Sequence, residues 1–147
     1  MNTQFFTRPR TGEHWNTAWQ FIAFAAVLFG IKLFLIATYG NATPFWDQWD
    51  GEAVYLYRPF LDGDLRFLDL LDLHNEHRIF TTRVLALTLL TLNGIWNPLL
   101  QMLVNACIHI LVIAIVIATI TRVIGKQFLP VVLVFSLALF AVPYGWE

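Results

Sequence analysis

Apolar residues along this chain form long runs that are separated by one polar stretch near the middle. The runs from Ala18 to Tyr39 and from Leu99 to Thr121 contain almost no charged residues. A helix needs about 20 apolar residues to cross the roughly 30 Å of hydrocarbon in a bilayer. A third apolar run follows a short basic break and extends towards the C-terminus. The pattern predicts transmembrane helices at 18–39, 98–121 and 128–144.

The apolar segment at 79–93 decides between two topologies. It contains Arg83 and is shorter than a typical span, which favours a helix in the membrane interface over a fourth crossing. With three spans, the basic loop at 122–127 lies on the same side as the basic N-terminal tail at 1–17, as the positive-inside rule prefers. With four spans the two basic segments face opposite sides. We therefore favour three spans, with the tail and the 122–127 loop in the cytoplasm.

Composition supports the same class of protein. The chain has 147 residues, of which 58% are hydrophobic and 13% charged. A soluble domain has about 45–50% apolar and about 25% charged residues. The net charge of −1 leaves no basic surface for a nucleic acid, so no nucleic-acid partner is expected. The chain is predicted to be an all-α integral membrane protein with three, or alternatively four, transmembrane helices.

The polar stretch at 40–78 is predicted to be an extracytoplasmic loop with short juxtamembrane helices, expected at 51–61 and 65–73. It holds every acidic residue of the chain except Glu13 and Glu147. Such a concentration of carboxylates beside a bilayer marks the place where chemistry is expected.

Asp47 and Asp50 are the candidate catalytic residues of this loop. Their spacing puts both on one face of a helix, where either carboxylate is a candidate general base. Trp46 and Trp49 share the neighbouring face and are expected to lie on the membrane or to stack on a sugar ring. The alternative is a solvated acidic loop with tryptophan anchors.

A second cluster, His74, Glu76, His77 and Arg78, closes the loop. The two histidines have a spacing at which both can reach one divalent metal, but no third ligand is identifiable, so no metal or other cofactor is predicted. Arg78 suits a phosphate instead, because a guanidinium pairs well with oxyanions. These residues are therefore candidate substrate contacts. The alternative is the polar start of the following helix.

These two clusters, with the apolar pattern around them, give the chain a resemblance to a known family. A Trp-Asp-x-Trp-Asp cluster, a His-Asn-Glu-His-Arg segment and a C-terminal Trp-Glu after a span occur in this order. The chain resembles the N-terminal part of bacterial membrane proteins related to the C-type-fold glycosyltransferases, which include protein mannosyltransferases and lipid A aminoarabinose transferases.

The resemblance implies a location in the bacterial inner membrane and a polyprenyl-phosphate-linked sugar as donor. It makes Asp47 the first choice for the acidic residue and Asp50 the second. It assigns His74, Glu76, His77 and Arg78 to the donor phosphate or sugar. It also implies that the helix at 79–93 lies along the membrane. The family members are several times longer, so this chain is expected to be an N-terminal portion that is inactive alone.

The alternative function is a small non-enzymatic membrane protein that acts as an assembly or lipid-binding subunit. Lys32, Asn105 and His109 lie within predicted spans. Polar side chains at membrane depth usually find partners on neighbouring helices. Other membrane helices or subunits are therefore expected partners, besides the lipid bilayer itself.

Overall fold

The computed structural model of the protein describes residues 11–74 and 77–142, with side chains for 16–73 and 79–142. The prediction of an all-helical chain is confirmed, apart from one very short hairpin. Two helices are long and apolar enough to cross a membrane, over Asn16–Tyr39 and Pro98–Ile124. Only 11% and 22% of their most apolar windows are buried inside the chain. The protein therefore leaves most of this apolar surface uncovered, as a membrane helix does and a soluble core helix does not.

The regular elements run in the order of the chain. Helix α1 contains the first candidate span, and helix α4 contains the second. Between them lie a π-helix, the short helix α2, a 3₁₀ turn, the strands β1 and β2, and helix α3, and the described part ends with a 3₁₀ turn and helix α5. Their bounds are α1 Thr11–Tyr39, the π-helix Trp49–Tyr57, α2 Arg58–Asp62, the first 3₁₀ turn Phe67–Leu71, β1 Leu73–His74, β2 His77–Arg78, α3 Phe80–Asn93, α4 Pro98–Ile124, the second 3₁₀ turn Lys126–Phe128 and α5 Leu129–Phe140.

Two helices are shorter than a membrane span. Helix α3 has 14 residues and α5 has 12. The predicted third span at 128–144 ends outside the described residues, so it stays a prediction, as does the interfacial position of 79–93. Helix α4 continues past the predicted end at Thr121 to Ile124, so the predicted loop at 122–127 begins within the helix.

One compact unit combines the chain up to Lys32 with the chain from Cys107 onward. In it, α1, the second part of α4 and α5 pack around one apolar core. Each helix contributes residues that are one turn apart and therefore share a face. Beside this core the ring of His109 meets the edge of Phe140, with ring centroids 5.6 Å apart. The buried core residues are Phe24, Leu28, Ile110, Ile113, Ile117, Leu129 and Leu133.

The other compact unit is Leu33–Ala106 and contains the polar loop. Its smaller core is formed by Leu56, Tyr57 and Ala86, with Trp96 packed beside them. The short helices expected in the loop are present, but the first continues from a π-helix into α2 and the second is only a 3₁₀ turn.

The end of the polar loop is a hairpin. Strand β1 pairs antiparallel with β2, with Leu73 opposite Arg78 and His74 opposite His77. Helix α3 begins only at Phe80. The alternative in which His74–Arg78 start the following helix is therefore wrong, because this backbone pairs with itself and the residue before α3 is not helical, with φ −106° and ψ 37° at Ile79.

Candidate active site in the polar loop

A tight turn leads into the helix that carries the two candidate aspartates. The backbone N–H of Phe45 donates to Oε1 of Gln48 (2.9 Å), and the N–H of Gln48 donates to the carbonyl of Phe45 (3.0 Å). This pair of hydrogen bonds closes the turn before the helix. Trp46 lies within the turn with φ 44° and 73% of its surface exposed. A bulky residue in the left-handed region is rare and marks a locally strained backbone.

The helix continues from Trp49 with π spacing. The N–H of Arg58 donates to the carbonyl of Ala53, five residues earlier. Pro59 has no N–H to continue this series, and the chain returns to an α-helix there. π-Helical turns occur frequently at functional sites. Here the wider turn allows the Tyr57 hydroxyl to donate to Oε2 of Glu52, also five residues earlier (3.1 Å).

Glu52 is a buried carboxylate that accepts three hydrogen bonds. Besides Tyr57, Nε1 of Trp96 donates to Oε2 (3.1 Å) and Nε2 of Gln101 donates to Oε1 (2.8 Å). Burial, and then the charge of Glu52 and the hydrogen bond to it, raise the pKa of the Tyr57 phenol well above its ordinary value. The π-helix is thereby tied to the start of α4. Glu52 follows the candidate bases closely in the sequence, but the local pattern assigns it no role, because two of its partners, Trp96 and Gln101, lie far along the chain.

Trp49 belongs to the same framework. Its Nε1 donates to the carbonyl of Pro44 (3.0 Å), and its ring meets the edge of Trp96, with centroids 5.4 Å apart. Trp96 in turn meets Tyr57 edge-on, at 5.1 Å. Of the two tryptophans predicted to contact membrane or sugar, Trp49 is held in this aromatic group, whereas Trp46 makes a T-shaped ring contact with Phe45.

Asp47 and Asp50 line one cavity of about 690 Å³. This volume is within the range of about 300–1,000 Å³ that is usual for small-molecule sites. Both aspartates are exposed, so solvent reaches them. The structure thus brings together the two residues that the sequence singled out as candidate bases. The lining residues are Asp47, Asp50, Tyr55, Pro59, Leu65, Arg66, Asp69, Asp72, Leu73 and Arg83.

Arg66 and Asp69 form an ion pair on the cavity wall. Nη2 of Arg66 donates to Oδ1 of Asp69 (2.9 Å), and the backbone N–H of Arg66 donates to Oδ2 (2.8 Å). The side-chain and backbone hydrogen bonds from Arg66 lower the pKa of the Asp69 carboxyl. The carboxylate of Asp69 is therefore already occupied by a partner.

Arg83 lines the same cavity from helix α3 and is only 3% exposed. Its Nη1 donates to the backbone carbonyls of Asp69 and Asp72, both at 2.8 Å. Its Nε is buried and has no hydrogen-bond partner among the described residues. Within the same residues no carboxylate lies within ion-pair distance of Arg83. The sequence signal was a single charge inside a short apolar helix, which did not reveal the cavity.

The second predicted cluster is described only in part. The backbones of His74, His77 and Arg78 form the hairpin. Their side chains and the whole of Glu76 lie outside the described residues, so their predicted roles stay predictions. In the part of the chain that the structure describes, no three His, Cys, Asp or Glu side chains are grouped closely enough to hold a metal ion.

Comparison with known proteins adds no relative: no family model, no curated protein and no solved structure matches this chain. The geometry of the cavity is therefore the basis for assigning a function.

Proposed function

We propose that this chain is a membrane protein of glycosyltransferase type, whose polar loop receives a sugar donor linked to polyprenyl phosphate. One observation carries the proposal: Asp47 and Asp50 line the same cavity as Arg66 and Arg83. The two long apolar helices of the chain supply the membrane location.

The chemistry that these groups support is transfer of a sugar to a hydroxyl. Asp47 or Asp50 removes the proton from the acceptor hydroxyl, and the oxygen forms a bond to the anomeric carbon of the donor. The bond between that carbon and the phosphate oxygen breaks at the same time. The phosphate leaves with the electron pair, and a guanidinium compensates the negative charge that it gains.

The proposal includes a topology. The chain lies in a bacterial inner membrane with its N-terminus in the cytoplasm, and a third span at 128–144 follows α4. Helix α3 lies along the extracytoplasmic surface, which its length of 14 residues favours over a crossing. This puts the acidic loop outside, where lipid-linked sugar donors are used in the families that the chain resembles.

The test is sugar transfer by membranes from cells that express the chain in its native gene context, with Asp47→Asn and Asp50→Asn compared separately. Loss of the general base lowers the rate by about 10²–10⁴-fold. We expect this loss in one of the two variants and a smaller effect in the other. The control is Asp62→Asn, since Asp62 pairs with Arg58 at 3.8 Å and does not line the cavity.

Unchanged transfer in both variants would refute the role of these aspartates as bases. Absence of transfer from every polyprenyl-phosphate sugar by membranes that contain the chain in its native gene context would favour the alternative of a non-enzymatic subunit.

A further inference from the structure

Arg83 is a buried cation that faces the cavity and has no anionic partner in the described part of the chain. We propose that Arg83 is the seat of a phosphate group, and that the ligand of this cavity is a phosphorylated sugar whose hydroxyls lie towards Asp47 and Asp50. The link to a lipid carrier depends on the proposed function, whereas the phosphate seat does not.

The positive charge of Arg83 is buried. A buried charge without a compensating charge is strongly destabilising, so buried arginines are normally paired. Among the described residues, Arg83 donates to two backbone carbonyls, in both cases from Nη1. A guanidinium has five N–H donors in a planar fork. The unpartnered Nε shows that this fork is not satisfied by the described residues.

The nearby carboxylates do not supply the negative charge that would compensate Arg83. The carboxylate of Asp69 is bound by Arg66. Asp72 offers Arg83 its backbone carbonyl and not its side chain. An oxyanion that enters the cavity would provide both a negative charge and several acceptor atoms, and phosphate suits the fork of a guanidinium.

The other charged residues of the cavity indicate what else the ligand carries. The cavity is lined by four aspartates and two arginines, so its overall charge disfavours a bare anion. Carboxylates accept hydrogen bonds from hydroxyl groups. A phosphate that carries a sugar therefore suits this lining better than inorganic phosphate, because the sugar hydroxyls satisfy the carboxylates on the side of Asp47 and Asp50.

The experiment measures binding by the full chain in lipid nanodiscs, by calorimetry. The probes are a short-chain polyprenyl-phosphate hexose, the corresponding hexose 1-phosphate, the free hexose and inorganic phosphate. We expect Arg83→Gln to weaken both phosphorylated hexoses by about tenfold or more, which is the effect of losing one charge-assisted hydrogen bond. Arg83→Lys keeps the charge and should recover part of the affinity. The matched control, Arg58→Gln, removes an exposed arginine that does not line the cavity and should leave both affinities within about twofold.

Arg83 also holds the backbone at Asp69 and Asp72, so its replacement can unfold the loop. A measurement on the unaltered protein covers that case. The Nε–H resonance of Arg83, assigned by through-bond correlation in the unaltered protein, should shift on saturation with hexose 1-phosphate. No shift at saturation would overturn the proposal.

The probes separate this inference from the proposed function. If hexose 1-phosphate binds through Arg83 and the lipid-linked hexose does not bind, the phosphate seat stands and the proposed donor is wrong. If both bind and Arg83→Gln binds as tightly as the unaltered protein, the seat is elsewhere and only this inference fails. An equal loss in Arg58→Gln would mean that surface charge attracts the ligand, which also overturns it. Binding of inorganic phosphate as tight as that of hexose 1-phosphate would overturn the assignment of a sugar.

Discussion

At the scale of single residues, Glu52 connects more of the polar loop than either candidate base. Its carboxylate accepts hydrogen bonds from Tyr57, Trp96 and Gln101. All three donors are neutral, so the carboxylate depends on hydrogen bonds alone within the described residues. Glu52 therefore stabilises the position of the helix that carries Asp50, although it does not line the cavity itself.

Glu52→Gln should lower the free energy of unfolding by about 1–3 kcal/mol. The amide keeps the shape of the side chain but replaces one acceptor oxygen with a donor, so a buried N–H or O–H loses its acceptor. Denaturant titration of the purified protein, followed by tryptophan fluorescence, measures the change. Asp62→Asn is the control, because an exposed substitution there should change stability by less than about 0.5 kcal/mol. Equal stability of the two variants would contradict the role of Glu52.

Glu52→Gln should also change the pH at which the Tyr57 phenol ionises. The pKa of Tyr57 is higher in the folded than in the unfolded chain. The contribution of Tyr57 to the stability of the fold is therefore complete below pH 10.0, the ordinary pKa of its phenol, and is lost as the pH rises towards the pKa of the folded state. Glu52→Gln removes a charge that raises this pKa. Tyrosinate absorbance from Tyr57 should then appear at lower pH than in the unaltered protein. Tyr57→Phe should abolish this part of the absorbance change.

At the scale of elements, the polar loop depends on a short helix that ends abruptly. Helix α2 stops at Gly63, which has φ 81° and ψ 13°, in the left-handed region. The following N–H groups of Asp64 and Leu65 both donate to the carbonyl of Pro59 (2.9 and 3.1 Å). This turn directs the chain back so that Leu65 and Arg66 reach the cavity wall.

Gly63→Ala should destabilise the protein by about 1–2 kcal/mol, because a β-carbon is unfavourable in the left-handed conformation. No atom lies within 4 Å of the position of that β-carbon, so backbone strain is the only expected cause. Gly30→Ala is a matched control, since it also meets nothing within 4 Å but lies in α1 with helical geometry. It should be neutral or stabilising by about 0.5–1 kcal/mol. Similar losses of thermal stability in the two variants would contradict the assignment of strain to Gly63.

The observed elements also show which features of the fold the sequence pattern predicts. The two long helices contain the apolar runs predicted at 18–39 and 98–121, but α1 begins earlier, at Thr11, and α4 ends later, at Ile124. The π spacing of the first loop helix was not predicted, since it depends on the contact of Tyr57 with Glu52 and on Pro59 at its end. The hairpin was missed because a polar segment before an apolar run has the same composition as a helix start.

At the scale of the whole molecule, the described residues include two long apolar helices that are largely exposed. The two candidate spans are mostly uncovered by the rest of the chain. Side chains such as Phe34, Leu111 and Val123 are exposed at 65%, 62% and 82%. This apolar surface is suited to lipid or to the helices of a partner.

The number of spans has a direct test by cysteine labelling, after Cys107→Ser removes the native cysteine. In the three-span topology only α4 crosses the membrane between the polar loop and the basic loop. Asp64→Cys should then react with an impermeant maleimide in intact cells, and Lys126→Cys only after the membrane is permeabilised. Both positions are exposed in the structure, so access is not limited by burial. Reaction of both in intact cells would reject three spans in favour of four.

The sequence by itself determined that the chain is mainly helical with two long apolar helices, and where its acidic residues lie. The thickness of a bilayer sets the length of a span without reference to partners, and Asp47 and Asp50 are neighbours in one short segment. The tertiary structure alone decided what surrounds them. Glu52 is bound by Gln101, 49 residues further on, and Arg83 reaches back 14 residues to the carbonyl of Asp69. Local patterns carry no information about such pairings, because they form only when separate helices pack and leave buried polar groups that must find partners.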